Sequence, residues 1–184
     1  MIVWVLWEDQ RDARARDFGP HTLLLACIAD DLGYPFGKFP QAERVRASPK
    51  KGCNKLLAEL KLNLKRLLDD GQLCAVFDRD QAHRLWGSDK QVARCRSSLL
   101  AKIKNEAPGA YDVVFLEQNV ETLYVACCNA LGLASGTSKP DPVTRDEVLS
   151  KVAFRQPELR AKVRADVPSF DRLVRKVGEL VAKL

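Results

Sequence analysis

The sequence predicts an α/β fold: a mostly parallel sheet with helices on both faces, followed by a C-terminal helical extension. Three observations lead there. Short apolar runs at residues 2–7, 73–77 and 111–116 have the length and composition of buried strands. Longer segments between them carry apolar residues at helical spacing. Strand and helix patterns alternate along the chain, the arrangement that builds parallel sheets.

The first run, Ile2-Val3-Trp4-Val5-Leu6-Trp7, is rich in β-branched and aromatic residues and ends in Glu8-Asp9. A polar stretch with Arg11, Arg14 and Arg16 leads to Gly19-Pro20, where proline suits the first helical position. Leu23, Leu24, Cys27, Ile28 and Leu32 mark that helix, and Gly33 stands where a left-handed cap is wanted. A short strand is expected around residues 43–47, and Pro49-Lys50-Lys51-Gly52 reads as a basic turn. Leucines at 56, 57, 60, 64, 67 and 68 predict an amphipathic helix from Asn54 to Gly71.

The central strand then runs to Asp78-Arg79-Asp80, and residues 83–87 read as loop. Ser88 with Gln91 has the spacing of a capping box for a helix buried through Val92, Cys95, Leu99, Leu100 and Ile103. After Pro108-Gly109 the last strand ends at Glu117. Asn119 is the expected cap of the following helix, with Glu121 in its first turn. Residues 132–143 have the Gly, Ser, Thr, Lys and Pro content of a linker. Thr144 and Glu147 suggest a second capping box, Pro157 breaks that helix, and residues 169–184 form a last amphipathic helix. The organisation is thus an α/β domain over 1–131, a linker over 132–143 and helices over 144–184.

With 184 residues, 46% of them hydrophobic, the chain can bury one core. A net charge of +6 and a pI near 9.1 lean towards polyanionic partners, although acidic and basic residues are interspersed. Cys27, Cys53, Cys74, Cys95, Cys127 and Cys128 show no CxxC spacing, and no signal-peptide pattern or long apolar run is present, so a reduced, cytoplasmic protein with no membrane contact is expected.

Acidic residues stand at the carboxyl ends of three predicted strands: Glu8 and Asp9, Asp78 and Asp80, and Glu117 with Glu121 beyond it. Ligands of open α/β sheets bind at those ends. Residues two apart on an extended chain point to one side, so Asp78 and Asp80 can aim four oxygens into one small volume. Anions that close call for a cation, a shared proton or solvent, and an all-oxygen set suits Mg²⁺ or Mn²⁺. The alternative for each position alone is a solvated loop acid or a helix cap.

A glutamate after the first strand, Asp-x-Asp after a later one and a glutamate leading into the next helix together resemble the Toprim domain, a Rossmann-like α/β fold of topoisomerases, primases and overcoming-lysogenization-defect nucleases. The resemblance spans residues 1 to 131, with Asp9 where the family usually has glycine. It implies a metal-dependent nuclease acting on DNA or RNA, in a bacterial or phage defence setting. Glu8 would be the catalytic acid or base. Asp78 and Asp80, with Glu117 or Glu121, would hold one or two Mg²⁺ or Mn²⁺ ions. Arg11, Arg14, Lys50, Lys51 and Arg79 are the candidate contacts to the phosphate backbone. Two other classes fit parts of the pattern: an Asp-x-Asp phosphatase of haloacid dehalogenase type, and a non-catalytic docking module. The C-terminal helices, whose last member has a broad apolar stripe, suggest a protein partner or a homodimer.

Overall fold

Among the described residues four parallel strands form one sheet in the order β2-β1-β3-β4, with β1 Ile2–Trp7, β2 Val45–Pro49, β3 Gly71–Asp78 and β4 Asp112–Leu116. The structure is a computed structural model that describes residues 1–8, 18–35, 37–86, 96–117, 119–136 and 139–184. Helix α1 (Gly19–Asp31) joins β1 to β2, and α2 (Cys53–Asp69) joins β2 to β3. Helices α3 (Arg79–Trp86) and α4 (Arg96–Glu106) precede β4, and α5 (Val120–Leu131) follows it. The chain closes with α6 (Pro142–Ala153), α7 (Pro157–Asp166) and α8 (Pro168–Val181).

Alternate residues of each strand serve opposite faces, as the pleat requires. On one face Val3, Val5, Trp7, Cys74 and Val76 pack with α1, α5 and the C-terminal helices. On the other, Leu6, Leu73, Ala75, Phe77, Val113 and Phe115 pack with α2 and α4. The predicted α/β class and the helical C-terminus are therefore present.

The C-terminal helices complete a layer of the core. Phe170, Leu173, Val174 and Val177 of α8 are fully buried in the same cluster as Val3 and Leu24. The apolar stripe that suggested a dimer is covered by the chain's own sheet and helices. Ion pairs fasten the layer: Arg160 of α7 clasps Asp30 of α1 with Nε and Nη2 at 2.6 and 2.7 Å. Arg164 bridges Asp31 and Asp171 at 2.5 and 2.7 Å.

Helix α1 meets α6 at Gly19, where a Cβ would lie 2.6 Å from both the Cα and the carbonyl oxygen of Asp146. A side chain there forces two backbones apart. Gly19→Ala is expected to cost about 1–3 kcal/mol, as overpacking of a close contact does, read as a drop in the urea midpoint at constant slope.

Several boundaries differ from the sequence reading. The central strand stops at Asp78, and Arg79 and Asp80 already belong to α3, which also occupies the expected loop from His83. Pairing of Ile2 with Gly71 starts the strand two residues before its apolar run, and an acidic residue in the first turn favours the helix that follows. Helix α6 begins inside the expected linker. Its cap is Asp141, whose Oδ1 accepts from the amides of Val143 and Thr144 at 2.9 and 3.1 Å, with Pro142 in the first turn; Thr144 and Glu147 are not its capping pair. Strand β2 extends through Pro49, which an edge strand tolerates. The expected capping box at Ser88 and Gln91 lies outside the described residues.

Candidate functional site

Strand order creates the site. From β1 the chain passes through α1 to β2 on one side, whereas β3 lies on the other side of β1 and its following helices cover the opposite face. Connections diverge between the carboxyl ends of β1 and β3, the kind of switch point at which open α/β sheets bind ligands. A cleft of about 450 Å³ opens there, lined by Glu8, Asp78, Asp80, Glu121, Lys139 and Arg145, among others.

Glu8 sits at its floor, 4% exposed. Its amide donates to Val76 O at 2.9 Å, and its carboxylate Oε2 accepts the Asp78 amide at 3.0 Å, so the β3 backbone holds both its main chain and its side chain. The start of α2 lies alongside. Gly52, at φ +100°, turns the chain into the helix in a conformation that favours glycine, and the Cys53 amide and thiol also hydrogen-bond the Glu8 carboxylate. Burial nevertheless dominates and, reinforced by the nearby Asp80 charge, raises the Glu8 pKa to about 7. Burial and the Glu8 charge drive the Cys53 thiol strongly upward, so it is no thiolate nucleophile.

Because the folded state holds the Glu8 proton more tightly than the unfolded chain, this group's stabilising contribution is complete below pH 4.5. It is lost as pH rises through about 7. In EDTA, the wild type is expected to lose about 3 kcal/mol relative to Glu8→Gln across that window, from 1.36 kcal/mol per pH unit. Urea titrations of both proteins at pH 4.5 and 8 check the sign and the size.

Asp78 and Asp80 both line the cleft, although one ends a strand and the other opens a helix. Asp80 Oδ1 is buried and accepts no hydrogen bond among the described residues. A buried carboxylate oxygen of this kind fits a cation. The donor set available is two carboxylates, which Mg²⁺ accepts when water and phosphate oxygens complete its shell. Among the described residues there is no preformed group of three or more His, Cys, Asp or Glu able to hold a metal.

The two candidates for the third acidic position separate. Glu121 lines the cleft, with Lys139 Nζ 2.6 Å from its carboxylate. Glu117 points elsewhere: Arg172 of α8 holds its carboxylate at 2.7 Å, and its amide donates to Ser169 Oγ at 3.1 Å. The C-terminal helices, invisible to a reading of residues 1–131, divert it.

Among the expected phosphate contacts, Lys51 lines the cleft, whereas Lys50 is paired with Glu59 at 3.1 Å. Arg79 opens α3 without lining the cleft. Arg11 and Arg14, with Asp9, lie outside the described residues. Three cations that the sequence reading passed over do line it: Arg84, Lys139 and Arg145. Arg84 was hidden by the reading of residues 83–87 as loop. Lys139 sat in the supposed linker, and Arg145 reaches the site only through packing of α6 on α1. Lys139 directly before Pro140-Asp141-Pro142 was the one local signal.

No helix among the described residues is long and apolar enough to cross a membrane. In comparisons with known proteins, no family model matches the chain and no curated protein matches its sequence.

Proposed function

We propose that this cleft performs metal-dependent phosphodiester chemistry on nucleic acid, making the chain a nuclease that uses Mg²⁺ or Mn²⁺. The observation that carries the reading is the meeting of a buried glutamate and two aspartates at one switch-point cleft whose rim is basic. Acids on the floor suit a cation and a proton donor, while Lys51, Arg84, Lys139 and Arg145 suit a phosphate chain.

Asp78 and Asp80 would hold the metal, and Glu121 lies on the same wall. When bound, Mg²⁺ supplies charge stabilisation to the transferring phosphate. Burial raises the Glu8 pKa to about 7, towards the range in which a general acid or base works best at neutral pH. The Asp78 amide on Oε2 orients the carboxyl, and burial keeps bulk water from competing for its proton. In the protonated form it can deliver that proton to a leaving oxygen, directly or through one water.

The test is cleavage of plasmid, single-stranded DNA and total cellular RNA with Mg²⁺, Mn²⁺ or EDTA. Metal-dependent cutting that disappears in an Asp78, Asp80 double variant supports the nuclease. Absence of cutting on all three, with no metal-induced rise in melting temperature, turns the reading towards the docking module.

A further inference from the structure

We infer that the exposed face of α2 binds the nucleic-acid backbone outside the cleft. Lys51, Lys55, Lys61, Lys65 and Arg66 form a basic track that starts at the cleft and holds phosphates whatever the base sequence. This deepens the proposed function and rests on its nucleic-acid reading of the cleft.

Burial along α2 defines the track. Residues 51, 54, 55, 58, 61, 62, 65 and 66 are exposed, and spacings of three and four put them on one side of the helix and its entry. Leu56, Leu57, Leu60 and Leu67 fill the core from the other side. Five of these eight exposed residues are basic and none is acidic, so the face carries one sign of charge. Lys51 and Asn54 also line the cleft, which makes the track continuous with it. The 17 residues of α2 run about 26 Å, the length of about seven or eight base pairs.

The charges on this face work against the helix that carries them. A helix dipole favours acids in the first turn and cations in the last. Helix α2 has no acid in its first turn, where Lys55 stands instead, and it ends in Asp69. Lys61 and Lys65, four residues apart, repel each other. Arg66 alone stands where the dipole favours it. Lys61 pairs with Glu106 of α4 at 2.9 Å and Arg66 lies 3.9 Å from Glu59, whereas Lys55 and Lys65 have no ion pair among the described residues. A face kept only for solubility gains nothing from that arrangement. A line of positive potential facing solvent suits a polyanion, and lysine contacts to phosphate fix position without reading sequence. The apolar exposure within the track is Leu62 with Ala58, too little to seat a helix in a bilayer, so the partner is nucleic acid and not an anionic membrane.

The experiment measures binding apart from cutting. Anisotropy of a fluorescein-labelled sixteen-nucleotide strand, made as DNA and as RNA, alone and annealed to its complement, is followed in EDTA over a range of KCl concentrations. The track variant carries Lys55→Gln, Lys65→Gln and Arg66→Gln, glutamine being a good helix former. A control carries Lys151→Gln, Arg155→Gln and Lys162→Gln, which removes the same charge from exposed positions of α6, α7 and the turn between them, on the opposite face of the sheet. Melting temperature verifies each fold. On the form that the wild type holds most tightly, the track variant is expected to bind at least tenfold more weakly, alike for two unrelated sequences, and the control to change less than threefold. The plot of log affinity against log salt should become shallower by about two, since each phosphate contact contributes about 0.9 on a duplex and about 0.7 on a single strand. Equal losses in the track variant and the control, an unchanged slope, or no binding of any form overturns the inference. Tighter binding to phosphatidylserine vesicles than to nucleic acid, lost in Leu62→Ser, overturns it in favour of a membrane. Its failure is separable from that of the nuclease reading. Metal-dependent cutting that needs Asp78 and Asp80 but is indifferent to the track variant leaves the nuclease and removes the track. Track-dependent binding without metal-dependent cutting does the reverse.

Discussion

A protein carrying both Asp78→Asn and Asp80→Asn is expected to lose metal-dependent cleavage by about 10³-fold or more, because a bound metal contributes several kcal/mol of charge stabilisation and each 1.36 kcal/mol is tenfold in rate. The fold should survive. Asp80 is among the groups that raise the Glu8 pKa, so removing its charge relieves repulsion at the cleft floor. In EDTA the double variant should therefore melt at the wild-type temperature or above it. Adding Mn²⁺ should raise the wild-type melting temperature and leave the variant where it was, since a ligand stabilises only the state that binds it. Loss of cutting with an unfolded protein would say nothing about chemistry; loss of cutting and of the metal shift in a folded protein locates both at these two carboxylates. An unchanged rate would remove the metal-dependent reading of the cleft.

Arg160→Ala is expected to be the most damaging single change away from the cleft, at about 3–5 kcal/mol, the range for breaking one side of a buried ion pair. Arg160 is 3% exposed, grips Asp30 with two parallel hydrogen bonds and caps the end of α6 by donating to the Ala153 carbonyl at 2.8 Å and to that of Arg155. Truncation strands all of these acceptors. Arg160→Lys should recover part of the loss by keeping the charge, though it cannot reproduce the fork. Because α6, α7 and α8 share a core cluster with β1 and α1, urea unfolding should remain one cooperative transition followed alike by fluorescence and circular dichroism. Separate transitions for the sheet and the C-terminal helices would show the layer to be dispensable.

Much of the site was legible because its residues punctuate local patterns. Glu8 follows the first apolar run directly, and Asp78 ends the central one. Asn119 was recognisable as a cap, and its Oδ1 accepts the Thr122 amide at 3.2 Å. Where the reading slipped, neighbours in space had the deciding influence. Asp80 looked like a strand residue because nothing in Asp78-Arg79-Asp80 marks the end of pairing, yet β4 pairs no further than Asp78 with Leu116. Glu117 and Glu121 were indistinguishable along the chain; Arg172 and Ser169, some fifty residues later, draw one aside.

By itself, then, the sequence determined the α/β class, the three principal strands and the helices that follow them, because hydrophobic periods of two and of about 3.6 are written in neighbouring residues. Tertiary structure alone decided that β1 and β3 lie side by side, which brings the Asp78 amide to Glu8 across seventy residues. It also decided that the C-terminal helices close the same core and send Arg145 into the cleft. Both outcomes follow from long-range pairing and the burial of whole faces. A local period shows which side of an element is apolar, but not which distant element will cover it.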